Sequence, residues 1–300
     1  MGGISILLGV ILTLLMSLPF QEWISLKYFF ISIGLMFLIG LRDDVLALDP
    51  KQKLFSQFLP VFLLVFLDGS LLTSLYGLVS TLTFPLYVSW VISIVTFVII
   101  TNAYNLIDGV DGLAGPVGLI ALLFFGVWFY EVGNRSISLI SFCFAGSVIA
   151  FLFFNWQPSR IFMGDTGALM VGLLLSYLAI RFINENSALS ADHPAKFGAS
   201  IATAVCVLIV PIFDTFRVIL LRIRKMQSPI RADRNHIHHQ FLNLGFSHAR
   251  TVLILAGINI LFILLAVLLN GQREILILGI IVVSCLGINF ALGKAQKQRA

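Results

Sequence analysis

The sequence predicts an all-α fold: a polytopic transmembrane helix bundle of about ten spans, forming one integral membrane domain over residues 1–300. Three observations carry this. Apolar residues make up 59% of the chain and charged residues 11%, with a mean hydropathy of +1.03, so too little polar surface exists to cover a soluble fold. Apolar runs close to the roughly 20 residues that cross a bilayer recur along the whole chain. Lys and Arg gather in alternate connections between those runs.

The runs place spans at 4–20, 26–41, 54–69, 86–104, 113–130, 137–154, 161–181, 198–221, 251–269 and 275–293. Residues 70–85, with Tyr76, Gly77 and Pro85, read as an interfacial segment. The side that holds the connections near 42–53, 102–112, 155–160 and 222–250 and the C-terminal tail carries fourteen of the nineteen Lys and Arg residues, Arg217 at the end of its span included. That bias predicts a cytoplasmic face there. All four glutamates (Glu22, Glu131, Glu185, Glu274) fall on the opposite side, whereas eight of the ten aspartates share the basic face. Part of the basic excess suits anionic lipid heads. A face with only short carboxylates set among cations also suits an anionic ligand, and metal-bridged phosphates fit. Cys143, Cys206 and Cys285 sit singly in apolar runs and supply no metal or disulfide framework. No nucleic-acid partner is expected.

Five segments on the basic face carry chemistry-bearing residues. In LRDDVLALDPKQK, Leu41 to Lys53, the adjacent Asp43 and Asp44 repel each other unless a cation or a shared proton relieves them. In NAYNLIDGVDGLAG, Asn102, Asn105, Asp108 and Asp111 recur every three residues, and Gly109, Gly112 and Gly115 follow the same step. Residues three apart share a helix face. Such a polar series continuing an apolar span belongs in a wet cavity, and amide and carboxylate oxygens are hard ligands suited to magnesium. In NWQPSRIFMGDTG, Pro158 ends one span and Asp165 lies about one turn inside the next, where it needs a cation or a donor unless it caps the helix. Phe162, one turn earlier, is placed to stack on a base. Asp214 and Arg217, three apart after Pro211, suit either a mutual ion pair or a catalytic role. In RIRKMQSPIRADRNHIHHQ, His236, His238 and His239 lack the spacing and the glutamate of a zinc-enzyme helix. Among arginines they read as an anion site.

Together these segments resemble the polyprenyl-phosphate N-acetylhexosamine-1-phosphate transferases of glycosyltransferase family 4. The likeness runs from Gly2 to about Gly245 and rests on the Asp-Asp pair, N-x-x-N-x-x-D-G-x-D-G-L, F-M-G-D-x-G and H-x-H-H in order. The D-R-x-H-x-H-H run followed by L-x-x-L-G-F-S looks like the undecaprenyl-phosphate N-acetylglucosamine-1-phosphate branch. The resemblance implies an enzyme at the cytoplasmic face of a bacterial inner membrane. It would move N-acetylglucosamine-1-phosphate from UDP-N-acetylglucosamine to undecaprenyl phosphate, release UMP, and so initiate cell-envelope polysaccharide (lipopolysaccharide O-antigen or cell-wall) synthesis. The partners implied are a UDP-sugar, a polyprenyl phosphate lipid and the membrane, and the family is compatible with a homodimer.

Carried over position by position, the resemblance assigns Asp165 to Mg2+, with Mn2+ as a substitute, and Asp43 and Asp44 to the lipid-phosphate and metal side. It assigns Asp108, Gly109 and Asp111 to the nucleotide with Phe162 against uracil, Asn155 to the diphosphate, and His236, His238 and His239 to phosphate or sugar. Asn102, Asn105 and Arg234 join the substrate-binding set. Lys51 or Lys53 takes the role of a basic residue after the aspartate pair.

Two departures stand out. The family's first helix and its basic loop precede the Gly-Gly-Ile segment in which this chain begins, so either the start is misassigned or that helix is missing. Ala168 stands where a serine is common. The alternatives are the same chemistry with another UDP-N-acetylhexosamine, including UDP-N-acetylmuramoyl-pentapeptide, and an inactive truncated relative. A transporter would need ionisable groups near mid-membrane with access from both sides, and only Asp214 lies at depth.

Overall fold

The computed structural model describes residues 2–78, 83–109, 112–156, 158–224, 226 and 236–298. Asp111 and Arg234, two of the candidate site residues, lie outside them. The described chain is helical, with a single isolated bridge between Ser74 and Thr83 in the expected interfacial segment. Its helices are α1 (Gly2–Ser17), α2 (Phe20–Ser25), α3 (Lys27–Leu46), α4 (Pro50–Ser56) and α5 (Phe58–Phe62), which runs into a π-helical turn at Leu63–Leu67. There follow α6 (Leu86–Ile107), α7 (Ala114–Glu131), α8 (Arg135–Asn155), α9 (Gly164–Ala188) and α10 (Ser200–Val207). The chain closes with α11 (Ile209–Arg224), α12 (Ile237–Asn243), α13 (His248–Leu268) and α14 (Glu274–Lys297).

The polytopic helical bundle is as expected, but the count of about ten spans is not reproduced. Six of the described helices are long and apolar enough to cross a membrane, seven if α10 and α11 are one bent span. The α1 helix is shorter, at 16 residues, and α3 ends in the charged run Arg42–Asp44. Two expected spans are broken, and both breaks have the same cause. A proline ring clashes with the carbonyl four residues back and offers no N–H to it. Pro211 therefore stops α10 at Val207, and α11 leaves at 86° instead of completing a straight span over 198–221. Pro60 likewise stops α4 at Ser56, so 54–69 is a chain of short helices. Beyond its break α11 is two-faced: Asp214, Arg217 and Arg222 are buried while Phe216, Leu220 and Ile223 are exposed.

The middle of the bundle is α9, in which 18 of 25 residues are buried, packed by α1, α3, α6 and α7. Exposed Leu, Ile, Val and Phe side chains on α1, α3, α13 and α14 form the outer surface, as a lipid-facing bundle requires. The three cysteines are buried and unpaired. Because α9 begins where α3, α6 and α8 end, the polar residues at those four termini meet at one end of the bundle.

Candidate active site

The site is built on the first turn of α9, which starts at Gly164 rather than at 161 as expected, so Asp165 stands at the helix mouth and not one turn within. An unsatisfied helix N-terminus needs acceptors for its free N–H groups. Asp44 supplies them from α3: its Oδ1 accepts the Asp165 N–H at 2.8 Å and its Oδ2 the Thr166 N–H at 3.0 Å, and the Thr166 hydroxyl donates to Oδ2 as well. Asp165 thus does not cap its own helix. Two glycines permit the approach. Gly164 has a φ of +68°, and a Cβ there would stand 2.7 Å from Asp44 Oδ2. A Cβ on Gly40 of α3 would stand 2.4 Å from the Asp165 carbonyl oxygen.

Freed from capping, the Asp165 carboxylate meets two other elements. Lys53 of α4 places its ammonium between Asp165 and Asp43, 2.8 Å from Asp43 Oδ2 and in direct contact with Asp165 Oδ1. Asn105 of α6 donates from Nδ2 to the same Asp165 oxygen at 2.6 Å. Asp43 Oδ1 accepts the Leu48 N–H at 2.7 Å, which closes the turn after α3. Burial works to raise the Asp43 pKa, but the Lys53 and Leu48 hydrogen bonds and the Lys53 charge outweigh it and hold Asp43 below its ordinary 3.8. Two carboxylates, Asp43 and Asp165, therefore share one ammonium, and a third, Asp44, caps the helix that Asp165 begins. The Asp165 side chain keeps 30% of its surface exposed, so the cluster remains open on one side.

The structure distinguishes the two lysines. Lys53 enters the cluster, whereas Lys51 is exposed and lines, with Arg42, a groove of about 950 Å³ between α3 and α4–α5. The three-residue series of α6 divides in the same way. Asn105 reaches Asp165, while Asn102 exchanges two hydrogen bonds with Gln57, at 2.7 and 3.2 Å, in the break between α4 and α5. Asp108 is the C-cap of α6, and Gly109 follows it into the turn. Asn155, nearly buried, donates to the Ile161 carbonyl at 2.9 Å and so ties the loop that delivers α9. Phe162 presents its ring to solvent at 60% exposure while its carbonyl accepts the Gly2 N–H.

The histidines adjoin the far side of the Gly109 turn. A Cβ on Gly109 would stand 3.6 Å from His238 Nε2. The His238 ring is 1% exposed, and neither of its nitrogens has a hydrogen-bond partner among the described residues. Burial holds its pKa at about 3, against the opposing pull of Asp214, so the ring is uncharged at neutral pH. A neutral His238 ring acts toward an anion as a hydrogen-bond donor rather than as a cation. His239 packs on it at 4.3 Å between centroids. His236 is held by Asp214, at 2.8 Å from Oδ2. Sequence reasoning left Asp214 undecided and passed over Gln57 and Thr166 altogether. The one available sign for Asp214 was a carboxylate deep in an apolar run with no metal-ligand spacing around it.

Comparison with known proteins decides the family. The description "Glycosyl transferase family 4" matches residues 26–183. A probable undecaprenyl-phosphate N-acetylglucosaminyl 1-phosphate transferase of Bacillus subtilis is 32% identical over 280 residues, covering 90% of this chain and 73% of the relative. The chain belongs to glycosyl transferase family 4. Within the family, a decaprenyl-phosphate N-acetylglucosaminephosphotransferase of Mycolicibacterium smegmatis is 31% identical over 275 residues, covering 85% of this chain and 68% of the relative. A phospho-N-acetylmuramoyl-pentapeptide-transferase of Clostridium perfringens is 28% identical over 278 residues, covering 88% of this chain and 80% of the relative. The family 4 match ends within α9, so it takes in Asp43, Asp44, Lys53, Asn105 and Asp165 and stops short of the histidines.

Proposed function

We propose that the chain transfers N-acetylglucosamine-1-phosphate from UDP-N-acetylglucosamine to undecaprenyl phosphate, at the cytoplasmic face of a bacterial plasma membrane, as a first step of envelope polysaccharide synthesis. The observation that carries this is the open cluster of Asp43, Lys53, Asn105 and Asp165 at the converging helix ends, in a membrane-spanning member of this family. The names of the relatives favour N-acetylglucosamine over the muramoyl-pentapeptide, which stays the second substrate to test.

The donor set suits magnesium. Among the described residues no group of three or more His, Cys, Asp or Glu side chains converges as a closed metal cage. Magnesium needs none, since it is commonly held by one or two carboxylates together with substrate phosphates and water. Asp165 is the residue to hold it, with Asp43 beside it and the Asn105 side-chain oxygen left free by its Nδ2 bond. Bound there, the ion would offset the charge that a diphosphate under attack spreads over its oxygens.

The residues of the chain supply the rest. An oxygen of the lipid phosphate attacks the sugar-bearing phosphorus of the UDP-sugar. The bond to the UMP oxygen breaks, UMP leaves with the electron pair, and a lipid pyrophosphate-sugar remains. Lys53, already between two carboxylates, offsets charge on the diphosphate, and Asn105 fixes the Asp165 rotamer. A lipid phosphate is largely ionised near neutral pH, so no strong base is required. Asp43, kept ionised by Lys53, is a weak acceptor for any residual proton, and no step depends on it. Asp108, Asp111, Gly109 and Phe162 are assigned to the nucleotide, Asn155 to the diphosphate side, and His236, His238, His239 and Arg234 to phosphate or sugar. A homodimer belongs to the same proposal.

The test is transfer of radiolabel from UDP-[14C]N-acetylglucosamine into organic-extractable lipid by the purified chain in detergent. Labelled lipid pyrophosphate that requires undecaprenyl phosphate and Mg2+ is the expected product. Label left on the protein when the lipid is omitted would overturn direct attack in favour of a covalent intermediate.

A further inference from the structure

The histidine segment is fastened by a carboxylate that the transfer chemistry does not itself require. Asp214 is fully buried on α11, just past the Pro211 bend. Its Oδ2 lies 2.8 Å from His236 Nδ1, and its Oδ1 accepts the Ile237 N–H, the first of α12, at 2.7 Å. Arg217, one turn along, sets Nη1 at 3.7 Å from Oδ1 and donates from Nε to Asn289 Oδ1 of α14 at 2.8 Å. A buried carboxylate is tolerated only with such compensation. Both oxygens are spent on the two residues that begin the histidine helix, so they fix where that helix starts and how its first ring is turned.

The consequence reaches the Gly109 turn. The His236 and His238 rings lie 8° from parallel with centroids 5.5 Å apart. His238 is buried beside Gly109 with both nitrogens unpartnered among the described residues. An unsatisfied buried ring is costly unless a ligand group or water completes it. Its position depends on α12, and α12 is held at its start by Asp214.

We propose that Asp214 is a positioning residue for the transfer reaction: its carboxylate holds His236 as the Nδ1–H tautomer and pins α12, which sets the His238 ring against the Gly109 turn with His236 stacked beside it. It touches no substrate and acts through the two histidines. In a hydrogen-bonded acid–imidazole pair, the acid selects the tautomer and orientation of the ring. The proposal rests on the transferase reading, but its first measurement does not.

That measurement is the imidazole 15N spectrum of the full chain in detergent, with His236 assigned by its loss in His236→Asn. A proton on Nδ1 of His236 is expected, and a proton on Nε2 alone would overturn the proposal. Kinetics follow. Asp214→Asn should lower kcat about ten- to a hundredfold, the worth of a hydrogen bond to an ionised group, with KM for undecaprenyl phosphate unchanged. Asp214→Glu should recover part of that loss. Asp214→Asn combined with His236→Asn should lose no more than His236→Asn alone. Unchanged kcat in folded Asp214→Asn, or losses that multiply in the double variant, would show a structural brace only. If Asp214→Asn does not fold, Asp214→Glu decides, through its His236 spectrum and its cycle with His236→Asn. If the wild type forms no product, the transferase reading fails while the spectrum still judges the tautomer.

Discussion

At the starts of α9 and α10 a carboxylate from another helix holds a pair of free N–H groups, and the two ends differ in one respect. At the start of α10, Glu274 of α14 accepts the Ile201 and Ala202 N–H groups, each at 2.9 Å, and is 3% exposed. At the start of α9, Asp44 of α3 does the same for Asp165 and Thr166. The Glu274 junction is closed, with its one charge spent on the helix it caps. At the Asp44 junction the capped residue is a second aspartate, with Asp43 a third, and Lys53 pairs with Asp43 and Asp165. A helix N-terminus accommodates one anion easily. Three carboxylates at one such end are costly for stability alone, so the excess marks the end of the bundle where an external cation and an anionic substrate complete the charge.

The charge excess at the α9 junction is removed most directly at Asp165. Asp165→Asn keeps the Asn105 and backbone geometry but removes the charge, and turnover should fall by at least about a hundredfold, the scale of losing one preorganised electrostatic group. The thermal unfolding of the detergent-solubilised protein should stay close to wild type. Lys53→Met comes next. It removes the cation between Asp43 and Asp165, so activity should fall severalfold to tens-fold and the folded state should weaken, since the two carboxylates then face each other. Lys51→Met, whose side chain points to the α3–α4 groove, should leave kcat within about twofold, the outcome for a side chain that supports no step.

The pair Asp44→Ala and Glu274→Ala sharpens the comparison. Each loses a helix cap, and each should cost about 1–2 kcal/mol in chemical unfolding. Only Asp44→Ala should also lower turnover per folded molecule. The remaining effect concerns pH and acts on stability rather than turnover. His238 is neutral when folded because burial holds its pKa near 3 against the ordinary 6.5. Below pH 6.5 the unfolded chain binds a proton that the folded chain does not, so acid favours unfolding, progressively down to about pH 3. A urea-unfolding series between pH 7 and 4 should show a smaller loss of stability for His238→Gln than for wild type.

The helices and their order were legible because the apolar runs are long, and the chemistry was legible because its residues are clustered in short segments. The breaks were less so. Pro60 and Pro211 stop α4 and α10 four residues upstream, where composition continues unchanged. On a helix, residues two apart point about 200° away from each other, so only one of Lys51 and Lys53 can face Asp43. Which one does depends on how α4 docks, which composition does not encode. The Gln57–Asn102 exchange and the Asp214–His236 bond join residues 45 and 22 positions apart through tertiary packing. Neither follows from local spacing.

Charge excess at the α9 junction, and not helix capping as such, makes the site. Release of UMP from UDP-N-acetylglucosamine, with and without undecaprenyl phosphate and Mg2+, measured side by side for wild type, Asp165→Asn and Glu274→Gln, tests it. Wild type should need both lipid and metal, Glu274→Gln should match it per folded molecule, and Asp165→Asn should release essentially none. Full activity in Asp165→Asn, or its loss in a folded Glu274→Gln, would contradict the account.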